Sequence, residues 1–160
     1  MMDAPWNRGM TIESSNPNFV RDIQESFARQ GLNATLGASL TLVEPGQVHI
    51  EIDFSPHLTQ QNGYLHAGVI TSIADNACGY AALSLLPARS DVLAVEFKIN
   101  LLAPARAPRF EARARVIRPG RTLSVVQADV YGIDQGLAEM VATMLQTVYL
   151  KRPAPNSKMT

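Results

Sequence analysis

The sequence predicts an α+β domain, a six-stranded antiparallel sheet packed on one long central helix with a shorter helix ahead of it. Three observations predict it. The run from His66 to Pro87, HAGVITSIADNACGYAALSLLP, has the length and composition of a buried helix and carries one charged side chain, Asp75. Two runs before it and four after it have the alternation of half-buried strands, divided by Pro and Gly turns. Near the start, Phe19, Ile23 and Phe27 recur four residues apart, an apolar stripe at helical spacing.

Taken in order, NFVRDIQESFARQ (18–30) is the first helix, and Gly31 ends it. The period then changes. LNATLGASLTLVEPGQVHIEIDFS alternates on both sides of Glu44-Pro45-Gly46, which predicts two strands joined by a tight turn. HLTQQNGYL (57–65) is a polar loop leading into the long helix, where Ala67, Gly68, Ala74, Ala77, Gly79, Ala81 and Ala82 leave a slim surface that a sheet can wrap closely. The four later runs are DVLAVEFKINLLAPA, RFEARARVIRPGR, TLSVVQADVYGID and GLAEMVATMLQTVYL. In the first of these, Glu96, Lys98 and Asn100 alternate with Val95, Phe97, Ile99 and Leu101, which predicts one wet and one dry face. The expected boundaries are a loose N-terminal arm over 1–16, one domain over 17–151 and a loose polar tail over 152–160.

Composition narrows the function classes. With 14 Lys and Arg against 14 Asp and Glu, no global field attracts nucleic acid or an anionic membrane, which leaves a small molecule or another subunit as partner. The stretch from Val69 to Leu86 has about the length of a membrane span, but Thr71, Ser72, Asp75, Asn76 and Ser84 argue for a helix enclosed by protein. The single cysteine, Cys78, has no intramolecular disulfide partner, and MMDAPWNRGM lacks the apolar core of a signal peptide, so a cytoplasmic setting is expected. There is no glycine-rich phosphate loop, no Cys and His spacing for a metal and no G-x-S-x-G elbow. No metal or redox cofactor is expected.

Asp75 is the candidate for chemistry. A carboxylate among Ile73, Ala74, Ala77 and Cys78 is either a hydrogen-bonded structural group or a base whose desolvation raises its pKa toward neutrality. His66 invites pairing with it. Nine residues along one helix, however, amount to about 13.5 Å of rise and roughly two and a half turns, so the two face opposite sides. If both serve one site, two chains must build it, and a symmetric dimer would hold two such sites. Cys78 reads as a packing residue, and Tyr64 and Tyr80 as packing residues or walls of a pocket.

LHAGVITSIADNACGYAA resembles the H-G-G-x4-L-x-D pattern of hotdog-fold acyl-CoA thioesterases of the phenylacetate-pathway (PaaI-like) type. VEFKINLLAPA resembles that family's third strand, and RPGRTLSVVQADVY its Gly-Arg turn and following strand, so the likeness runs from about Asn18 to Leu150. It implies a six-stranded sheet curled around the central helix, a homodimer or a homotetramer built as a dimer of dimers, and hydrolysis of an acyl-CoA, with coenzyme A present only as part of substrate and product. It also implies that backbone N–H groups after the His polarise the thioester carbonyl while a carboxylate on the partner's central helix acts as base or nucleophile.

Carried onto this chain, the carboxylate is Asp75, the His and its following Gly fall on His66 and Ala67, with Gly68 next, and the leucine falls on Ile73. The Asn usual six residues before the His is Gln60 here, beside Gln61 and Asn62, which offer the remaining polar groups of the loop. A Ser or Thr that some relatives use to hold water on the third strand is Ala94. Arg118, Gly120 and Arg121 fall on a turn resembling a nucleotide-contacting loop, whose plain alternative is a solvated hairpin tip. Two other functions share the scaffold. One is a non-catalytic acyl-CoA or acyl-carrier binding protein, and the other is a hydratase.

Overall fold

The structure, a computed structural model, describes residues 12–153. Helix α1 (Phe19–Arg29) buries Ile23 and Phe27, two members of the predicted stripe. A short helix, α2 (Gly31–Leu36), stands where the first strand was expected to begin. Its cause is local. Gly37 adopts a left-handed conformation, φ 63°, and donates its N–H to the carbonyls of Asn33 and Ala34, closing a helical turn that a strand could not make. Asn33 is buried beneath it, donating to the Phe27 carbonyl at 3.1 Å and accepting from Asn76 Nδ2 at 2.9 Å, so α2 ties α1 to the central helix.

Strands β1 (Ser39–Glu44) and β2 (Gln47–Asp53) form the expected hairpin, with Gly46 at φ 76° in the turn. The central helix α3 (Ala67–Leu83) ends four residues before Pro87, the limit of the predicted run, and Ser84–Leu86 continue as turns. Strands β3 (Asp91–Leu101), β4 (Arg109–Arg118), β5 (Leu123–Asp134) and β6 (Leu137–Lys151) follow. The sheet order is β1-β2-β4-β5-β6-β3, antiparallel throughout. It wraps α3, the hotdog arrangement that the resemblance implies, and α3 packs on all the strands from β2 to β6.

The core lies between α3 and the concave face of the sheet. Val48, Ile50 and Ile52 of β2, Phe110, Ala112 and Ala114 of β4, and Val126, Ala128 and Val130 of β5 point inward at every second position. They meet Ile70, Ile73, Ala74, Ala77 and Ala81 of α3, whose small side chains allow the close wrap. Among the described residues no helix is long and apolar enough to cross a membrane.

Strand β3 corrects one expectation. Its predicted dry face is not covered by its own chain: Val95 is 57% exposed, Phe97 44% and Leu101 55%. Two features account for it. β3 lies at the sheet edge, beside β6, and a bulge between Ala94 and Glu96 takes Val95 out of the inward row. The inward row is instead Val92, Ala94, Phe97, Ile99 and Leu101, opposite Leu150, Val148, Gln146, Met144 and Ala142. Of the expected terminal segments, residues 12–16 and 152–153 are described; in the first, Ser15 N–H donates to the Leu85 carbonyl at 3.3 Å and Asn16 is buried. The parts over 1–11 and 154–160 lie outside the described residues.

Candidate active site

The N-terminus of α3 leaves four backbone N–H groups to be satisfied, and their partners can be assigned one by one. Gly68 N–H donates to His66 Nδ1 at 2.8 Å. His66 N–H donates to the Leu58 carbonyl and Val69 N–H to the His66 carbonyl, each at 2.9 Å. Ala67 N–H has no acceptor among the described residues. His66 is therefore the N-cap of α3, and Ala67 holds the one first-turn donor left for a ligand, at the positive end of the helix dipole. Glycine at 68 serves the cap, because a Cβ there would lie 3.0 Å from His66 Nδ1.

Ala67 lines a cavity of about 450 Å³ with Gln60, Tyr64, Leu65, Ile70 and the β3–β4 connection Leu102–Ala105. Gln60 is held in place by its own tight loop: its N–H donates to the Tyr64 carbonyl at 2.9 Å, and its side-chain oxygen accepts from Asn62 N–H. Gln61 and Asn62 are exposed and do not line this cavity. The structure thus brings Gln60 and Ala67 together in a largely apolar hollow.

Asp75 lies eight residues along α3, about 12 Å from Ala67 in helical rise, and opens onto a different cavity. This one, of about 220 Å³, is lined by Ser26 of α1 and Gln30 just after it, Asp75, Asn76, Gly79 and Tyr80 of α3, Asp91 to Ala94 of β3, and Gln146 of β6. Burial pushes the Asp75 carboxyl above its usual range, opposed by a hydrogen bond that Gln146 Nε2 donates to Asp75 Oδ1. Tyr80 Oη accepts from Gln30 Nε2 at 2.9 Å, which fixes the wall on the α1 side. Ala94 faces the cavity as a methyl group, with no hydroxyl to offer. Cys78 is buried, and burial pushes its thiol far up, so it packs and does not attack.

Gln146 is the residue that the sequence reading missed. It sits in the inward row of β6 between Met144 and Val148, both buried, and is itself 1% exposed. A polar side chain at an inward position of VATMLQTVYL is the signal that could have found it.

Arg118, Gly120 and Arg121 occupy the β4–β5 hairpin tip, and within one chain they meet neither cavity. Gly120 is required by the turn itself: a Cβ there would lie 1.9 Å from the Leu123 carbonyl oxygen. Both arginine side chains are exposed.

With this geometry in place, comparison with known proteins assigns the class. Residues 62–139 match the family model described as the thioesterase superfamily. A solved structure of a thioesterase family protein from Silicibacter pomeroyi is 44% identical and superimposes with a TM-score of 0.82, over 84% of this chain and 99% of that one. A 1,4-dihydroxy-2-naphthoyl-CoA hydrolase from Listeria monocytogenes is 30% identical over 59% of this chain and 77% of its own. The PaaI protein from the phenylacetic acid degradation operon of E. coli shares the fold, with 18% identity, a TM-score of 0.75, and 87% and 96% of the two chains covered. The chain belongs to the thioesterase superfamily, with the hotdog fold.

Proposed function

We propose that the protein hydrolyses an acyl-CoA thioester to a free carboxylic acid and coenzyme A, at sites built between two copies of the chain. One observation carries the reading: the donor and the carboxylate lie in separate cavities at opposite ends of β3. The cavity of Ala67 and Gln60 includes Leu101, at the C-terminal end of the strand, and that of Asp75 includes Asp91 to Ala94, at its N-terminal end. β3 is an edge strand exposed on both faces from Leu93 to Lys98. If two copies of this edge pair antiparallel about a twofold axis, the C-terminal end of each strand lies beside the N-terminal end of the other. Each donor cavity then meets a carboxylate cavity, and the exposed apolar edge is covered.

In such a site the thioester carbonyl oxygen accepts from Ala67 N–H, whose position at the helix N-terminus favours the developing oxyanion. Gln60 holds the carbonyl or a water from the side. Asp75 of the other chain takes a proton from water as the water oxygen bonds to the carbonyl carbon. The tetrahedral intermediate collapses, its C–S bond breaks, and the proton passes to the departing thiolate. Direct attack by Asp75, giving an anhydride that water then opens, uses the same residues. The CoA-thioester substrate is supported by the acyl-CoA hydrolase activity of the Listeria relative, and Arg118 and Arg121 offer guanidinium groups for the CoA phosphates. The buried, unreactive Cys78 fits a reducing, cytoplasmic setting.

The test is thiol release from aryl, short, medium and long acyl-CoAs. Native protein is expected to release thiol, and Asp75→Asn to do so about 10²–10⁴-fold more slowly. Binding of acyl-CoA with no thiol released would instead identify a non-catalytic carrier. Loss of conjugation from an enoyl-CoA would identify a hydratase.

A further inference from the structure

We infer that Gln146 is the positioning residue of the carboxylate half-site, its buried amide fixing Asp75 Oδ1 so that the other carboxylate oxygen addresses the cavity. The inference rests on the reading of Asp75 as the catalytic carboxylate. It begins from an anomaly in β6. The inward row there is Ala142, Met144, Gln146, Val148 and Leu150, in which one amide stands among apolar side chains. Burying an amide costs free energy unless its groups are paired, and this one is only half paired. Nε2 donates to Asp75, while Oε1 is buried with no hydrogen-bond partner. An apolar side chain of similar size would fill the row without an orphaned acceptor, so packing alone does not account for glutamine at this position.

What the amide supplies is specific to Asp75. Among the described residues Gln146 is its sole hydrogen-bond partner, and the bond joins a strand to the helix across the cavity wall. The opposing strand offers no substitute. Ala94 and Phe97, the inward neighbours on β3, carry neither donor nor acceptor in their side chains. A donor aimed at a carboxylate oxygen favours the ionised form, which a general base must occupy before it can take a proton. The other groups that face Asp75 do not help. On α3 these are Cys78 and Tyr80, and on β3 Asp91. Ser26 of α1 and Gln30 after it are neutral, and the inward rows of β2, β4 and β5 are uncharged. None is cationic, so the Gln146 amide is the group that offsets desolvation of the carboxylate.

The experiment follows Asp75 directly, by carbon-13 carboxyl NMR titration, alongside the pH profile of kcat/KM for thiol release. Native protein, Gln146→Met and Gln146→Glu are compared. Met keeps the length of the side chain and removes the donor. Expected for Gln146→Met is an upward move of the Asp75 titration and of the acid limb of kcat/KM together, by about one pH unit, with kcat reduced more than KM is raised. In Gln146→Glu a second carboxylate faces the first, and the Asp75 titration is expected to rise further. An Asp75 titration that stays in place in a folded Gln146→Met protein overturns the proposal. Should that variant fail to fold, Gln146→Glu decides by the same criterion. If the titration moves as expected but no form of the protein releases thiol, the positioning role stands and the thioesterase reading falls.

Discussion

Asp75 is held under opposing demands, and its thermodynamics follow from them. Burial favours the protonated form, the Gln146 amide favours the ionised one, and burial is the larger effect. A carboxyl whose folded-state pKa lies above its unfolded value binds more protons when folded, so folding stability falls as pH rises from the ordinary carboxylate range through the raised value. Above that window the loss is constant. Asp75→Asn removes the charge and keeps the shape and an acceptor for Gln146. It is therefore expected to raise the thermal midpoint at neutral pH by a few degrees, while abolishing most activity. The gain should vanish below the ordinary carboxylate range, where the native side chain is also neutral. Thermal melts of the two proteins across that range check it, and a destabilised Asn variant at neutral pH would show that Asp75 is structural.

At the scale of elements, the N-terminus of α3 offers a substitution that removes one atom group and leaves the rest. Ala67 is the first helical residue, a position where proline is well tolerated, and His66 before it has ψ 139°, inside the range that a following proline requires. Ala67→Pro deletes the free N–H without breaking any hydrogen bond of the helix. Activity is expected to fall about 10²–10³-fold, as when one oxyanion donor is removed, with circular dichroism unchanged. Full activity in this variant would place the oxyanion elsewhere.

The same elements show what could be read in advance. α1, α3 and the strands announce themselves because Phe19 and Ile23 keep a helical period, and Val48, Ile50 and Ile52 a strand period. Asp75 stood out as the lone charge in a small-residue helix. α2 was hidden because the apolar residues Leu32, Ala34 and Leu36 also alternate as in a strand, and only the left-handed turn at Gly37 and the burial of Asn33 decide the matter. The contact between Gln146 and Asp75 spans 71 residues, and no local period encodes such a pairing. The exposed side of β3 was misread for a related reason: alternation says which face is apolar, and strand order says what covers it.

For the whole molecule, the separation of Ala67 and Asp75 into two cavities makes the two-chain site testable without any assumption about substrate. Ala67→Pro and Asp75→Asn chains are each expected to be nearly inactive alone. Unfolded together in equal amounts and reassociated at random, half of the dimers combine one chain of each kind. In such a dimer one site joins the intact Ala67 of one chain to the intact Asp75 of the other, and its second site carries both lesions. Activity of the mixture should thus return to about one quarter of that of native protein treated in the same way. A site confined to one chain gives no recovery, because every chain in the mixture is defective. A third partner separates pairing through β3 from any other contact. Val95 is 57% exposed on the edge strand, so Val95→Lys leaves the interior of a single chain untouched while setting a charge where two edges would meet. Introduced into both parents, it should abolish the recovery and reduce the size of the particle in solution. Recovery that survives it would mean that the chains meet across another face of the sheet.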